Sequence, residues 1–365
     1  MPEQNISSYA YQEHIKCMKN VDHILEPLPK YCRDFLYHKV NGPKQMQPRT
    51  AVAYAGDYRT FFYFLSQRNP MCKDISSAEI TPEFLGKLTR EDIEEYYEFL
   101  HCYEKDGKIY TNKGSARKRK LNSLSSLYKY LISKDYITTN PCLLIDTDRL
   151  KSKPIVTLAP DQQNQLIDEV ELSTHEKSKR AVQVKDHYTR LRDLAILYMF
   201  LGTGMRLSEL VGLNISDIDL EHNTIRITRK GGKTAQLPFG NEVAGVVRDY
   251  IELSRQKLIP DTESKYATDY TALFLSLQHK RLGTRQVENI IKKAAKAALG
   301  ENTEITCHKL RSTFATQLLE NSSDIALVAE ALGHEDVNTT KRRYSKIQNM
   351  KKIPSFIEIK RNDMP

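Results

Sequence analysis

Residues 190–213, RLRDLAILYMFLGTGMRLSELVGL, set the architecture of the second half of the chain. Leu194 to Leu201 is the longest apolar run, and its length suits a buried helix rather than a membrane span. Gly202-Thr203-Gly204 stops it. Arg206 to Leu213 follows as a short helix, with Arg206 in its first turn and Glu209 placed to hold the guanidinium. Downstream the period changes. TIRIT (224–228) and AQL (235–237) flank Gly231-Gly232, the signature of a hairpin. From Glu242 the pattern is helical again, broken by a short apolar run at Leu273 to Leu275. Residues 159–350 therefore read as an α+β domain with a small antiparallel sheet.

Toward the N-terminus the spacing is helical throughout. Residues 1–47 form a helical lead-in, closed by Gly42-Pro43 and Pro48. Arg49 to Ser66 carries Val52, Tyr54, Tyr58, Phe61, Phe62 and Leu65 at helical spacing. Thr89 to Asp92 opens a helix over Ile93 to Leu100, with acids in its first turn. Lys113 to Ser133 begins with Arg117-Lys118-Arg119-Lys120 and continues as an amphipathic helix. The first 140 residues read as a small all-helical domain, ended by Asn140-Pro141. The predicted fold is mainly α: a lead-in (1–47), a helical domain (48–143), a charged linker (144–158), the α+β domain (159–350) and a tail (351–365).

The length of 365 residues exceeds what one hydrophobic core usually holds, so two domains are expected. Hydrophobic residues at 40% suffice for real cores. A net charge of +9 favours a polyanionic partner, a merely basic enzyme being the alternative. The six cysteines are scattered and form no C-x-x-C pair, which argues against a zinc ribbon or disulfide scaffold and fits a reducing cytoplasm. The polar first residues carry no basic-then-apolar leader, and neither a membrane span nor a membrane partner is expected.

Chemistry concentrates in the second domain. Arg206 follows a glycine turn. Lys230 sits at the predicted hairpin tip, in RKGGK. His308 and Arg311 are three apart on one helical face. His334 follows Leu332-Gly333, which closes a helix, and Tyr344 comes soon after, beside Lys341, Arg342 and Arg343. These types suit attack on a phosphodiester. Two arginines bind non-bridging oxygens and stabilise transition-state charge. A histidine moves the nucleophile's proton, a lysine protonates a leaving alkoxide, and a phenol forms a covalent intermediate. The sequence has no compact carboxylate cluster for two magnesium ions, no H-E-x-x-H and no Walker loop. Taken singly, each residue has a structural reading: an ion-paired arginine, a solvated lysine, a helix histidine, a packed tyrosine. Their joint occurrence in this order is the signal.

That order resembles the tyrosine recombinase (phage integrase) family. The matching segments are TGMRLSEL (203–210), RKGGK (229–233) before LPF, HKLRSTFAT (308–316), and LGH (332–334) followed by TTKRRY (339–344). In the first domain, TAVAYAGDYRTFFYFL, LTREDIEEYYEFL and LNSLSSLYKYL resemble the family's helical core-binding domain. The form is most like the Xer branch, of the single-recombinase streptococcal type, or a related mobile-element integrase.

The resemblance implies a site-specific recombinase acting on duplex DNA. Arg206 and Arg311 would clamp the scissile phosphate, with Glu209 supporting Arg206. Lys230 would be the general acid, His308 would assist proton transfer and His334 would hydrogen-bond the phosphate. Tyr344 would attack to give a 3′-phosphotyrosyl link, which retains the phosphodiester energy, so no metal or nucleotide cofactor is implied. A C-shaped clamp and a homo-tetramer on two DNA sites are also implied, with chromosome-dimer resolution or integration, excision or inversion as the biological outcome.

Two departures stand out. Tyr344 is ten residues after His334, where nine is the commonest spacing, and Ser312 stands where a second basic residue often follows Arg311. Tyr344 is nonetheless the only tyrosine after Tyr270. Lys233 rivals Lys230, but alignment on the proline of Leu237-Pro238 favours Lys230. The cluster Arg117, Lys118, Arg119 and Lys120 is the candidate DNA contact of the first domain, a solvated surface run being the alternative. Competing functions are a type IB topoisomerase-like relaxation enzyme and a DNA-binding regulator without catalysis.

Overall fold

The computed structural model describes residues 9–43, 45–148, 155–172, 180–229, 234–259, 271–333, 338, 340, 341 and 344, with the side chains of 10 and 180–188 excepted. The chain forms two compact units, Met1–Lys153 and Pro154–Pro365, which divide inside the predicted linker.

The first unit contains α1 (Tyr9–Leu25), α2 (Lys30–Asn41), α3 (Pro48–Arg68), α4 (Pro82–Lys87), α5 (Arg90–Phe99), β1 (Cys102–Lys105), β2 (Lys108–Thr111) and α6 (Gly114–Ser133). The lead-in helices α1 and α2 belong to the same core as α3 to α6, contributing Val21, Phe35 and Leu36 beside Tyr58, Phe61, Tyr96 and Tyr128. Buried phenols need partners. Tyr58 donates to Ser123 O at 3.1 Å and Tyr128 to Leu85 O at 2.9 Å, tying α3 and α4 to α6. Thr89 caps α5, where the Thr89 N–H donates to Asp92 Oδ2 at 2.8 Å.

The expectation of an all-helical first domain is corrected by the antiparallel pair β1–β2. Asp106 (φ +52°) and Gly107 (φ +70°) supply the positive dihedrals that a tight two-residue hairpin needs. Phe99, Tyr103 and Tyr110 stack along it at 4.7 and 5.3 Å.

The second unit runs α7 (Pro160–Leu172), α8 (Arg180–Thr203), α9 (Leu207–Gly212), β3 (Ile218–Asp219), β4 (Thr224–Thr228), β5 (Thr234–Pro238), α10 (Asn241–Asp249), α11 (Thr284–Leu299), α12 (Cys307–Ser322) and α13 (Ile325–Leu332). The apolar run expected to form a buried helix is the C-terminal half of α8. Its Ala195, Ile196, Leu197, Met199 and Phe200 are fully buried. The sheet is antiparallel in the order β3-β4-β5, and Ile225 faces Leu237 across β4–β5 with both side chains buried. The apolar run 273–275 extends a short pairing with the chain after α9, where the Leu273 N–H donates to Leu213 O at 2.9 Å.

Candidate active site

Two glycine turns build the site. Gly204, at φ +60°, ends α8 and turns the chain into α9. A Cβ there would overlap the Phe314 ring, so close packing excludes a side chain as firmly as the dihedral does. Arg206 then stands at the cap position of α9, one residue before the first turn in which it was expected. Glu209, buried, accepts from the Arg206 backbone N–H at 2.7 Å and from Arg206 Nη1 at 2.8 Å. One carboxylate thereby caps the helix and orients the guanidinium.

The second turn is Gly333, at φ +60°, which ends α13. A helix end leaves its last carbonyls without intrahelical donors and carries partial negative charge. Three arginines converge on these oxygens. Arg229 donates to Glu330 O at 3.3 Å through both Nη atoms, and to Ala331 O at 3.2 Å. Arg311 Nη2 donates to Leu332 O at 2.6 Å, and its Nη1 to Gly204 O at 2.6 Å. Arg206 Nη2 donates to Gly333 O at 3.4 Å. Charge-assisted bonds of this kind are worth about 1.5–3 kcal/mol each, enough to fix side chains that carry large rotamer entropy.

Arg311 is 6% exposed. Burial and then the neighbouring Arg206 bring its pKa down from the usual guanidinium value to about 10, against the pull of Glu209 and Tyr344. The guanidinium stays charged at neutral pH in a place that penalises its charge. An anion arriving there relieves the penalty.

Tyr344 joins this cluster. It is 2% exposed and packs among Ala315, Leu319, Val328 and Leu332 of α12 and α13, near enough to Arg311 to act on its charge. The structure thus brings Arg206, Glu209, Arg311 and Tyr344 together. His308, one turn before Arg311 in α12, is exposed where Arg311 is buried, so the two share a helix but not an environment. Ser312 is buried, and its hydroxyl donates to His308 O at 3.1 Å. Lys230, Lys233 and His334 lie outside the described residues.

Arg229 was missed as a site residue. Its one signal was the basic doublet it forms with Lys230, and nothing local marked Glu330 and Ala331 as its partners.

The basic cluster of the first unit has a different character. Arg117 Nη2 donates to Asp148 Oδ2 at 2.6 Å, and the guanidinium lies 4.8 Å from the Tyr97 ring centroid. Arg119 and Lys120 both bond Asp57, a carboxylate only 2% exposed, with Lys120 Nζ at 3.0 Å. Lys120 is 8% exposed, which removes it from the candidate DNA contacts for a steric reason. Lys118 makes no ion pair among the described residues, and Arg119 keeps about half its side chain exposed at 45%.

The phage integrase family model matches residues 157–350 of the chain. The chain belongs to the phage integrase family. It is a tyrosine recombinase, whose activity is the site-specific cutting and rejoining of DNA. Similar proteins include tyrosine recombinase XerC of Thermodesulfovibrio yellowstonii, 29% identical over 310 residues, covering 85% of this chain and 89% of that one. Tyrosine recombinase XerD of Lacticaseibacillus casei is 30% identical over 310 residues, covering 84% and 90%. These relatives agree with the expected Xer branch. Among solved structures, XerH site-specific recombinase bound to difH substrate in a pre-cleavage complex superposes with a TM-score of 0.59. It is 17% identical, over 98% of this chain and 99% of that one, and so supports the fold of this recombinase. No helix among the described residues is long and apolar enough to cross a membrane.

Proposed function

We propose that this recombinase cleaves one DNA strand at a time by attack of Tyr344 on a phosphate held between Arg206 and Arg311. The observation that carries this reading is the arrival of Tyr344 beside two arginines whose positions are set by backbone carbonyls of α13 and of the Gly204 turn. A carbonyl orients a guanidinium without cancelling its charge, so Arg311 keeps its full positive charge for the phosphate oxygens. Arg206 is oriented by the Glu209 carboxylate as well, which offsets part of its charge and still leaves N–H donors for the phosphate.

In the proposed step the Tyr344 Oη–P bond forms and the P–O5′ bond breaks. Lys230 gives a proton to the departing 5′-oxygen. His308 assists the proton transfer from the phenol, and His334 hydrogen-bonds a non-bridging oxygen. The product is a 3′-phosphotyrosyl link that a second 5′-hydroxyl reverses. Tyr344 packs on α12 and α13 of its own chain, which supports cleavage in cis.

Four protomers on two DNA sites, and a tail such as Ile353 to Ile359 docking on a neighbour, complete the proposal. That tail lies outside the described residues. On the first unit, Lys118 and Arg119 are the proposed phosphate contacts. DNA relaxation of the topoisomerase kind and a catalytically inactive regulator are not favoured, because the similar proteins are recombinases across most of the chain.

Incubation with a nicked suicide duplex followed by a denaturing gel tests the reading. The wild-type chain gives a covalent protein–DNA adduct and Tyr344→Phe gives none. An adduct that survives this substitution refutes the assignment. The sequence of the cleaved sites then separates chromosome-dimer resolution from integration, excision or inversion.

A further inference from the structure

Arg229 is the one arginine of the cluster that reaches α13 from the sheet. It directly follows β4, and its half-buried side chain donates to Glu330 O and Ala331 O. Four successive carbonyls, Glu330 to Gly333, are thus divided among Arg229, Arg311 and Arg206. Gly333 serves this arrangement twice. It adopts the left-handed turn, and its missing Cβ leaves the space that the Arg229 guanidinium fills. Arg229 Nε is buried with no partner among the described atoms. Such a desolvated donor is tolerated where the surrounding contacts hold the group in place.

Both Nη atoms of Arg229 already face helix carbonyls, so its geometry is that of a tie between two elements rather than of a phosphate ligand. The residue next in the chain is Lys230, one peptide of about 3.8 Å away. We propose that Arg229 is a positioning residue for leaving-group protonation: it fixes the end of β4 to the C-terminus of α13, and so sets where Lys230 begins. This rests on the reading of Lys230 as the general acid and Tyr344 as the nucleophile.

The test exploits the leaving group. With ordinary DNA, the P–O5′ bond breaks and the oxygen needs a proton. With a 5′-bridging sulfur, the P–S bond breaks and a thiolate departs unprotonated, since a thiol of pKa about 8.5 is a far better leaving group than an alcohol. Single-turnover adduct formation is measured for Arg229→Met on suicide duplexes of both kinds. The expected result is a loss of about a hundredfold on oxygen, the scale of a small misplacement, with the rate restored toward wild type on sulfur. Lys230→Met follows the same pattern, whereas Arg311→Met is slow on both.

Equal loss on both substrates, or no loss on oxygen, overturns the proposal for Arg229. If Lys230→Met shows no sulfur rescue, the general-acid reading fails and the proposal falls with it. If Tyr344→Phe still forms adduct, the nucleophile is wrong, a separate failure. Should Arg229→Met unfold, Arg229→Lys keeps the charge but a single donor head. It is expected to show a smaller loss on oxygen and the same rescue.

Discussion

Two of the chain's concentrations of positive charge are held in opposite ways. At the start of α6, Arg117 is bound by Asp148, and Arg119 and Lys120 by Asp57. At the end of α13, Arg206, Arg229 and Arg311 are bound mainly by backbone carbonyls, with Glu209 the one carboxylate hydrogen-bonded to them among the described residues. A carboxylate orients a cation and neutralises it. A carbonyl orients it and leaves the charge for something else. The first cluster therefore serves mostly to join α3 and the chain after α6, and the second is prepared for an anion. In the sequence the first looks the more basic, four basic residues in a row against three arginines in separate segments.

The largest expected difference is catalytic. In the proposed mechanism Arg311 is a preorganised donor to the transition-state phosphate, so Arg311→Met is expected to slow single-turnover cleavage about a thousandfold, the upper scale for loss of one such donor. Arg117→Met, at DNA concentrations that saturate binding, leaves the cleavage rate essentially unchanged, since the Arg117 guanidinium is already committed to Asp148 and the Tyr97 ring. Comparable losses in the two variants would erase the distinction between the clusters.

The next difference is in stability. Asp57 is 2% exposed and bonds both Arg119 and Lys120. Asp57→Ala leaves the buried Lys120 ammonium unpaired, and breaking a buried pair from one side costs about 3–5 kcal/mol. Urea unfolding followed by circular dichroism should show that loss, while Glu209→Gln, which keeps an acceptor for the Arg206 N–H, shows under about 1 kcal/mol. Glu209→Gln should slow cleavage instead, by about tenfold, through a less rigid Arg206. If Glu209→Gln proved as destabilising as Asp57→Ala, both carboxylates would be structural.

The contrast explains what the sequence could reveal. Gly204 and Gly333 were legible because a turn before Arg206 and a helix stop before His334 are local demands on the backbone. The β4–β5 hairpin was legible from alternation around Gly231-Gly232. The β1–β2 hairpin was not read, although Asp106-Gly107 is a strong turn dipeptide. Its strands are mostly exposed and held by the Phe99–Tyr103–Tyr110 stack rather than by an apolar face, so no alternation announced them. The fate of Arg119 and Lys120 was beyond local reading because Asp57 lies some sixty residues away, in another helix. Arg229 was hidden for the same reason, its carbonyl partners lying about a hundred residues on.

The smallest expected effect divides the first cluster within itself. Lys118 carries no ion pair among the described residues, and Lys120 is buried against Asp57 and Thr60. Each phosphate neutralised by a lysine releases condensed counterions, so the slope of log K against log salt changes by about 0.9 per contact on duplex DNA. Lys118→Gln should therefore reduce the slope by about one and weaken binding modestly, equally on specific and unrelated duplexes. Lys120→Gln should leave the slope unchanged, because its ammonium already faces a carboxylate and cannot reach a phosphate. An unchanged slope in Lys118→Gln would mean that the four-residue run at the start of α6 contributes no phosphate contact through its most available lysine. The duplex would then be gripped on this unit by other residues. A reduced slope in Lys120→Gln would instead mean that the Asp57 pair opens when DNA binds, which makes the first cluster a latch rather than a fixed joint.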